Sequence, residues 1–204
     1  KEGLLQLLTS RLRLESTENL GAWETLVNNI RTPQREIIIA MCGKYTELRD
    51  SYASVIEALT HAGAHLAAKI TLRWIEASDI EEGKLTAPAA LAGVNGVLVP
   101  GGFGSRGVEG KIAVIKHARE QKIPYLGICY GLQIAVIEFA RHICNLPDAN
   151  TTEVNPATPH PVIDILPEQR DVFIKGGTMR LGASKNDIVR GTLAHALYNA
   201  TECW

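Results

Sequence analysis

The sequence predicts an α/β fold in which a mostly parallel sheet carries helices on both faces. Two apolar runs, Glu36–Cys42 and Gly93–Pro100, have the length and composition of strands that are buried on both faces. Two other segments, Asp50–Gly63 and Val108–Gln121, place apolar residues at helical spacing. These strands and helices alternate along the chain, which is typical of a parallel sheet covered by its connecting helices.

Further segments continue the alternation. Leu66–Ala77 and Ile123–Cys129 are predicted strands, and Gly131–Asn145 is a predicted long apolar helix. Beyond residue 146 the pattern is less regular, because five prolines fall between residues 146 and 177. In this region we expect a returning strand at Thr178–Ala183 and a weak helix within Gly191–Trp204.

The first part of the chain differs from the rest. Leucine-rich spacing predicts a short helix near Leu4 and another over Leu20–Ile30, and Thr32-Pro33-Gln34 then interrupts the pattern. We interpret residues 1–34 as a linker or the tail of a preceding domain, and residues 35–204 as one α/β domain. The chain begins with Lys1 rather than Met, which suggests a fragment.

Composition narrows the class of protein. Of the 204 residues, 46% are hydrophobic and 21% charged, and the net charge of -1 gives no support for nucleic-acid binding. No apolar run approaches the roughly 20 residues that span a bilayer, and no signal-peptide pattern opens the chain. The four cysteines fit neither a zinc site nor a disulfide framework. We expect a cytoplasmic protein with reduced thiols, no bound metal, and neither nucleic-acid nor membrane partners.

The strongest local motif is Gly127-Ile128-Cys129-Tyr130-Gly131. It lies between a predicted strand and a predicted helix, the context of a nucleophile elbow. The turn would expose the Cys129 thiol at the end of the sheet, and the helix N-terminus would favour the reactive thiolate. The alternative is a buried structural cysteine in a glycine-containing turn.

A second motif, Pro100-Gly101-Gly102-Phe103-Gly104, follows the preceding strand directly. Adjacent glycines let backbone N–H groups approach a ligand. Acyl transfer needs two such donors for its oxyanion, which here would be the N–H of Tyr130 and that of Gly102 or its neighbour. A plain turn and a phosphate-binding loop are the alternatives, although the G-K-[ST] ending of a P-loop is absent.

No residue pattern identifies a general base. The sequence contains six histidines, and none is singled out by its context: His61, His65, His117, His142, His160 and His195. Glu153, in a loop after the elbow helix, is a carboxylate that could contact a substrate or simply face solvent.

Taken together, these motifs resemble the class I glutamine amidotransferases. Pro100–Gly104 followed by Leu126–Gln133 (LGICYGLQ) carries this resemblance. Three further segments resemble the CTP synthase family within that class: Gly43-Lys44-Tyr45 with Glu47 and the helix Ser51–Gly63, Gly102–Gly110 (GFGSRGVEG), and Gly176–Gly182 (GGTMRLG). The resemblance runs from about Glu36 to Trp204.

The resemblance implies a flavodoxin-like amidotransferase domain. Cys129 would attack the side-chain amide of L-glutamine, release ammonia and form a glutamyl thioester that water hydrolyses. It implies that Gly102 and Tyr130 supply the oxyanion hole. It also implies glutamine contacts and a lid segment that responds to GTP. The contact residues would be Gly102, Phe103, Tyr130, Gly131, Leu132, Gln133 and Glu153, and the lid residues Gly104, Arg106, Gly107 and Glu109.

The resemblance also implies partners outside this sequence. Residues 1–34 would be the end of a synthetase domain, where ATP and Mg²⁺ drive the amination of UTP with GTP as activator. The full-length enzyme would be a homotetramer, and this part of it would need no cofactor of its own.

Two departures from the family stand out. Tyr130 and Leu132 replace the usual Leu and Met, and the His-Pro-Glu motif that supplies the base and its orienting carboxylate is absent. We therefore expect a domain truncated at its C-terminal end that alone lacks full activity. An amidotransferase of another pathway, or a degenerate module that only binds or regulates, are the alternatives.

Overall fold

The computed structural model describes residues 3–14, 19–44, 49–102, 104–165 and 182–204. Contacts along the chain divide it into two compact units, Lys1–Ile163 and Asp164–Trp204. The first unit contains the sheet and both motifs singled out above. The expected strand Thr178–Ala183 lies mostly outside the described residues, as do Tyr45, Glu47, Phe103 and most of Gly176–Gly182.

The first unit is built on a four-stranded parallel sheet. Its strands are β1 Arg35–Gly43, β2 Ala68–Glu76, β3 Gly96–Val99 and β4 Tyr125–Gly127. The order across the sheet is β2-β1-β3-β4, and every neighbouring pair is parallel. The predicted fold class is therefore confirmed. A separate parallel pair, β5 Ala149–Thr151 and β6 His160–Ile163, was not predicted, since both short strands lie in the proline-rich part of the sequence rather than in a continuous apolar run.

Seven α-helices lie in the described part of the first unit, and a 3₁₀ helix, Arg49–Tyr52, leads into the third of them. The α-helices are α1 Leu4–Leu12, α2 Gly21–Arg31, α3 Ala53–His65, α4 Ala77–Glu81, α5 Ala87–Ala90, α6 Val108–Glu120 and α7 Tyr130–His142. The predicted helices correspond to α1, α2, α3, α6 and α7. The short α4 and α5 were missed, although Thr86 caps α5 and Pro88 occupies its first turn.

The strand order places helices on both faces of the sheet. The chain moves one way from β1 through α3 to β2, and the opposite way from β3 through α6 to β4. Parallel crossovers are right-handed, so helices on connections that run in opposite directions cover opposite faces. The direction reverses between β1 and β3, and ligands of open α/β sheets bind at this point, outside the carboxyl ends of the strands.

The core lies between this sheet and the faces of α6 and α7. All four residues of β3 are buried, as are Val108, Ile112 and Ile115 of α6. Burial in β1 begins at Ala40, whereas Ile37–Ile39 are only half-buried. The prediction of a strand buried along its whole length is thus right for the half of β1 that lies nearer the carboxyl end.

The second unit contains a small antiparallel pair, β7 Asn186–Asp187 with β8 Glu202–Cys203, and the helix α8 Leu193–Tyr198. The hydroxyl of Thr192 accepts a hydrogen bond from the N–H of His195, which caps the helix. The weak helix predicted within Gly191–Trp204 is therefore present as six residues, and the rest of that stretch is not helical.

Candidate active site

Cys129 lies in a tight turn between a strand and a helix. β4 ends at Gly127 and α7 begins at Tyr130, so Cys129 occupies the N-cap position. Its backbone has φ 53° and ψ -109°, a combination that non-glycine residues rarely adopt. The residue is exposed. Strain at an exposed thiol in front of a helix N-terminus matches the predicted nucleophile elbow.

Both glycines of the elbow are required by close backbone contacts. A Cβ on Gly131 would lie 2.0 Å from the carbonyl oxygen of Val99, and a Cβ on Gly127 would lie 2.6 Å from the carbonyl carbon of Gly131. The N–H of Ile128 donates to that same Val99 oxygen (3.0 Å). The absence of side chains therefore lets α7 lie directly against β3, and this contact fixes the position of Cys129.

The glycine loop, residues 101–107, passes next to the thiol. A Cβ on Gly101 would lie 3.5 Å from Cβ and 3.9 Å from Sγ of Cys129, whereas one on Gly102 would meet nothing within 4 Å. Tyr130 is the first residue of α7, and the first N–H groups of a helix have no partner within it. The two predicted oxyanion donors, on Gly102 and Tyr130, thus belong to segments that meet at Cys129.

Two side chains contact the peptide groups of Gly104 in this loop. The N–H of Gly104 donates to Oε1 of Glu153 (3.3 Å), and the hydroxyl of Tyr130 donates to the carbonyl oxygen of Gly104 (3.1 Å). Tyr130 is only 2% exposed. Burial, followed by the negative charge of Glu153, raises the pKa of Tyr130 to about 12. The hydroxyl therefore keeps the proton that it donates throughout the physiological pH range.

The other predicted glutamine contacts follow the elbow along α7. Gly131 is buried, Gln133 is half-buried and donates its N–H to the carbonyl oxygen of Cys129 (3.2 Å), and Leu132 is exposed. The first turn of α7 and the glycine loop, together with Glu153, thus lie around one thiol. Phe103 lies outside the described residues.

A buried lysine beneath the site was missed by the sequence analysis. Lys111 of α6 is 3% exposed, and its Nζ lies 5.4 Å from the ring centroid of Tyr130. Burial lowers the pKa of Lys111 and raises that of the Cys42 thiol to about 12. A signal was present, because Lys111 follows Val108 by three residues and precedes Ile115 by four, which places it on the apolar face of the helix.

The predicted lid segment is attached to the end of β2 through α4. Glu81 accepts hydrogen bonds from the N–H groups of Gly107 (2.7 Å) and Glu109 (3.2 Å), so its carboxylate caps α6. Arg106 contacts the Ser78 hydroxyl (3.4 Å). The Glu109 carboxylate pairs with Arg141 (2.9 Å). A role for this segment in GTP response stays a prediction.

The histidines of the first unit lie away from the elbow motif in sequence. None of those that the structure describes forms a hydrogen bond with the Cys129 thiol. His142 is the clearest case, since it ends α7 about 18 Å from the elbow. Its Nδ1 lies 3.2 Å from Oε1 of Glu138, which is 1% exposed and also binds Arg119. His142 and Glu138 thus form a structural cluster at the far end of the helix.

The described residues contain no group of three or more His, Cys, Asp or Glu side chains placed to hold a metal ion. Within the same residues, no helix has both the length and the apolar character needed to cross a membrane.

The chain matches a known family. The family model for glutamine amidotransferase class I matches residues 47–201, and the chain belongs to that family. Along its full length the chain also matches CTP synthases. It is 51% identical to the CTP synthase of Sulfurisphaera tokodaii over 100% of the chain, and 49% identical to that of Pyrococcus furiosus over 98%.

The match covers only part of those relatives: 38% of the first protein and 37% of the second. Comparison with solved structures also finds a CTP synthase domain. The glutaminase domain of Trypanosoma brucei CTPS, with bound acivicin, superposes with a TM-score of 0.67 at 29% identity. The superposition covers 81% of this chain and 64% of that one.

Cysteine labelling tests the elbow directly. We expect brief iodoacetamide treatment of the folded protein to label Cys129 at least about tenfold faster than Cys144. Cys144 is also exposed but follows the C-terminal end of the same helix, where the helix dipole disfavours negative charge on sulfur. Buried Cys42 should react only after unfolding. Peptide mass spectrometry measures each site, and equal rates for Cys129 and Cys144 would count against a nucleophile at the elbow.

Proposed function

We propose that this chain hydrolyses L-glutamine through Cys129, as the amidotransferase part of a CTP synthase. The observation that supports this most is the exposed thiol in a strained turn, with the glycine loop passing beside it at Gly101 and α7 beginning at the next residue. The match of the whole chain to CTP synthases supports the choice of pathway over another amidotransferase.

In the proposed reaction, Sγ of Cys129 attacks the side-chain carbonyl carbon of glutamine. The carbonyl oxygen becomes an oxyanion that the N–H groups of Tyr130 and Gly102 hold in place. The carbon–nitrogen bond breaks as the nitrogen takes up a proton, and ammonia leaves a glutamyl thioester. Water then adds to the thioester, the carbon–sulfur bond breaks, the thiol regains its proton, and glutamate is released.

Glutamine binding is assigned to the segments around the thiol. Gly131, Leu132 and Gln133 in the first turn of α7, together with Phe103 and Glu153, would contact the substrate. We propose that the general base and its orienting carboxylate come from a His-Pro-Glu segment of the full-length protein, since this sequence contains no such tripeptide. The dipole of α7 and the two oxyanion donors do not depend on that segment.

The ammonia is proposed to serve a synthetase domain in the same polypeptide. That domain would use ATP and Mg²⁺ to aminate UTP to CTP, with GTP as activator through the segment that includes Gly104, Arg106, Gly107 and Glu109. The chain spans little more than a third of the CTP synthases that it matches, which leaves room for such a domain. We further propose a cytoplasmic homotetramer.

Glutamate and ammonia release by the full-length protein tests the proposal. With ATP, UTP and GTP present, CTP should accumulate, and free ammonia plus CTP together should equal the glutamate released. Glutamine hydrolysis without CTP formation would keep the amidotransferase but reject the pathway. Absence of hydrolysis at saturating glutamine, in a protein that makes CTP from ammonium salts, would leave the chain as a binding or regulatory module.

A further inference from the structure

The glycine loop contains little that could hold its conformation. Four of its seven residues are glycines, at positions 101, 102, 104 and 107, and Gly104 and Gly107 have φ +83° and +76°. Glycine loses more conformational freedom on folding than any other residue, so such a loop is ordered only if other groups fix it. The proposed oxyanion donor Gly102 lies in this part of the loop, and catalysis requires the donor to be in place before the reaction.

The side chain that follows the nucleophile reaches this loop. The Tyr130 hydroxyl donates to the carbonyl oxygen of Gly104 (3.1 Å), while Glu153 accepts from the N–H of the same residue (3.3 Å). Gly104 is thus bound on both sides, two residues beyond Gly102. The loop is bound again at Gly107, whose N–H donates to Glu81 (2.7 Å).

The Tyr130 ring is itself held firmly. It is 2% exposed, and the buried ammonium of Lys111 lies 5.4 Å from its centroid. A cation at this distance from an aromatic ring is attracted to it. Because the backbone of Tyr130 begins α7, its hydroxyl connects the helix that carries one oxyanion donor to the loop that carries the other.

From these contacts we propose that the Tyr130 side chain is a positioning residue, which sets the distance between the two oxyanion donors by holding Gly104. This rests on the proposed function, and it gives the side chain a role distinct from that of the Tyr130 backbone N–H. The substrate need not touch the hydroxyl.

Tyr130→Phe in the full-length protein tests the proposal. An oxyanion donor stabilises the transition state rather than the bound substrate, so its displacement should lower kcat more than it changes KM. We expect kcat for glutamine hydrolysis to fall about tenfold while KM changes less than about twofold. Alkylation of Cys129 by iodoacetamide needs no oxyanion hole and should keep its wild-type rate. A general loss of structure around the elbow would instead change KM and the alkylation rate together.

Tyr125→Phe is the matched control. It also removes one part-buried hydroxyl that donates to a backbone carbonyl, here that of Gly131 (2.7 Å). Among the described residues, the Tyr125 hydroxyl forms no hydrogen bond with the glycine loop. The two variants should lose similar stability, and only Tyr130→Phe should lose kcat. An unchanged kcat in Tyr130→Phe, or an equal loss in Tyr125→Phe, would overturn the proposal.

Hydrogen exchange tests, without any assay of activity, whether the Tyr130 side chain holds the glycine loop. Loss of one hydrogen bond to Gly104 should speed amide exchange in a peptide that spans residues 100–107 by about fivefold in Tyr130→Phe and leave it unchanged in Tyr125→Phe. If the wild-type protein does not hydrolyse glutamine, the proposed function fails, yet this result still tests the contact. Unchanged exchange in Tyr130→Phe would overturn the positioning role.

Discussion

Replacing Cys129 by alanine in the full-length protein should abolish glutamine hydrolysis, with a loss of at least about 10³-fold in kcat. The thiol is the only group proposed to form a covalent bond with the substrate, and the oxyanion donors alone cannot replace it. Ammonia and glutamate release measure the effect. CTP formation from ammonium salts should continue, because free ammonia bypasses the glutamine site.

Cys144→Ala is the matched control, since Cys144 is exposed just beyond the other end of α7 and, among the described residues, forms no hydrogen bond with any proposed site residue. It should keep wild-type turnover. Glutamine hydrolysis that persists in Cys129→Ala would show that another nucleophile performs the reaction and that the strained turn serves some other purpose.

Replacing Gly131 by alanine should destabilise the fold by roughly 3 kcal/mol or more. The new Cβ would lie 2.0 Å from the carbonyl oxygen and 2.8 Å from the carbonyl carbon of Val99, both in the backbone of a buried strand. α7 would have to move away from β3. Thermal unfolding should show a Tm lower by roughly 10 °C, and the activity that remains should be low because Cys129 moves with the helix.

Gly21→Ala is the control for this substitution. Gly21 begins the exposed helix α2, and its Cβ would approach nothing closer than 3.9 Å. Alanine is the better helix former by about 1 kcal/mol, so stability should stay the same or rise. Helix propensity alone predicts that alanine also stabilises the protein at Gly131. A Gly131→Ala protein as stable as wild type would therefore mean that α7 does not lie against β3.

The fold was largely predictable because its central strands lie in continuous apolar runs and its longer helices show a helical period. β1 and α6 gave clear runs, and the glycine–cysteine motif between β4 and α7 identified the elbow. β3 and β4 span only four and three residues, but each lies within a longer apolar run. The short helices α4 and α5 show no period over five and four residues, and β5 and β6 lie in the irregular, proline-rich part of the chain.

The chain geometry of the candidate site was predictable from sequence, whereas most of its side-chain contacts were not. Gly102 and Tyr130 were assigned from motifs that determine local chain geometry. The contact of Glu153 with Gly104 joins residues 49 apart in sequence, and the burial of Lys111 depends on packing between elements. Neither follows from local spacing. Neither the sequence nor the structure identifies a general base. No sequence context singles out a histidine, and the described histidines of the first unit do not bind the thiol.

The cap on α6 bears on two interpretations of the glycine loop, as a phosphate-binding loop or as a loop that supplies an oxyanion donor. A glycine-rich turn that leads into a helix often cradles the phosphates of a nucleotide, because the first N–H groups of the helix attract anions. Here the carboxylate of Glu81 already accepts from the N–H of Glu109 in the first turn of α6 and from that of Gly107, the N-cap residue. A phosphate at this helix end would have to displace a negative charge that the protein supplies itself. This favours the proposed oxyanion role of the loop at Cys129 over a phosphate cradle at the N-terminus of α6.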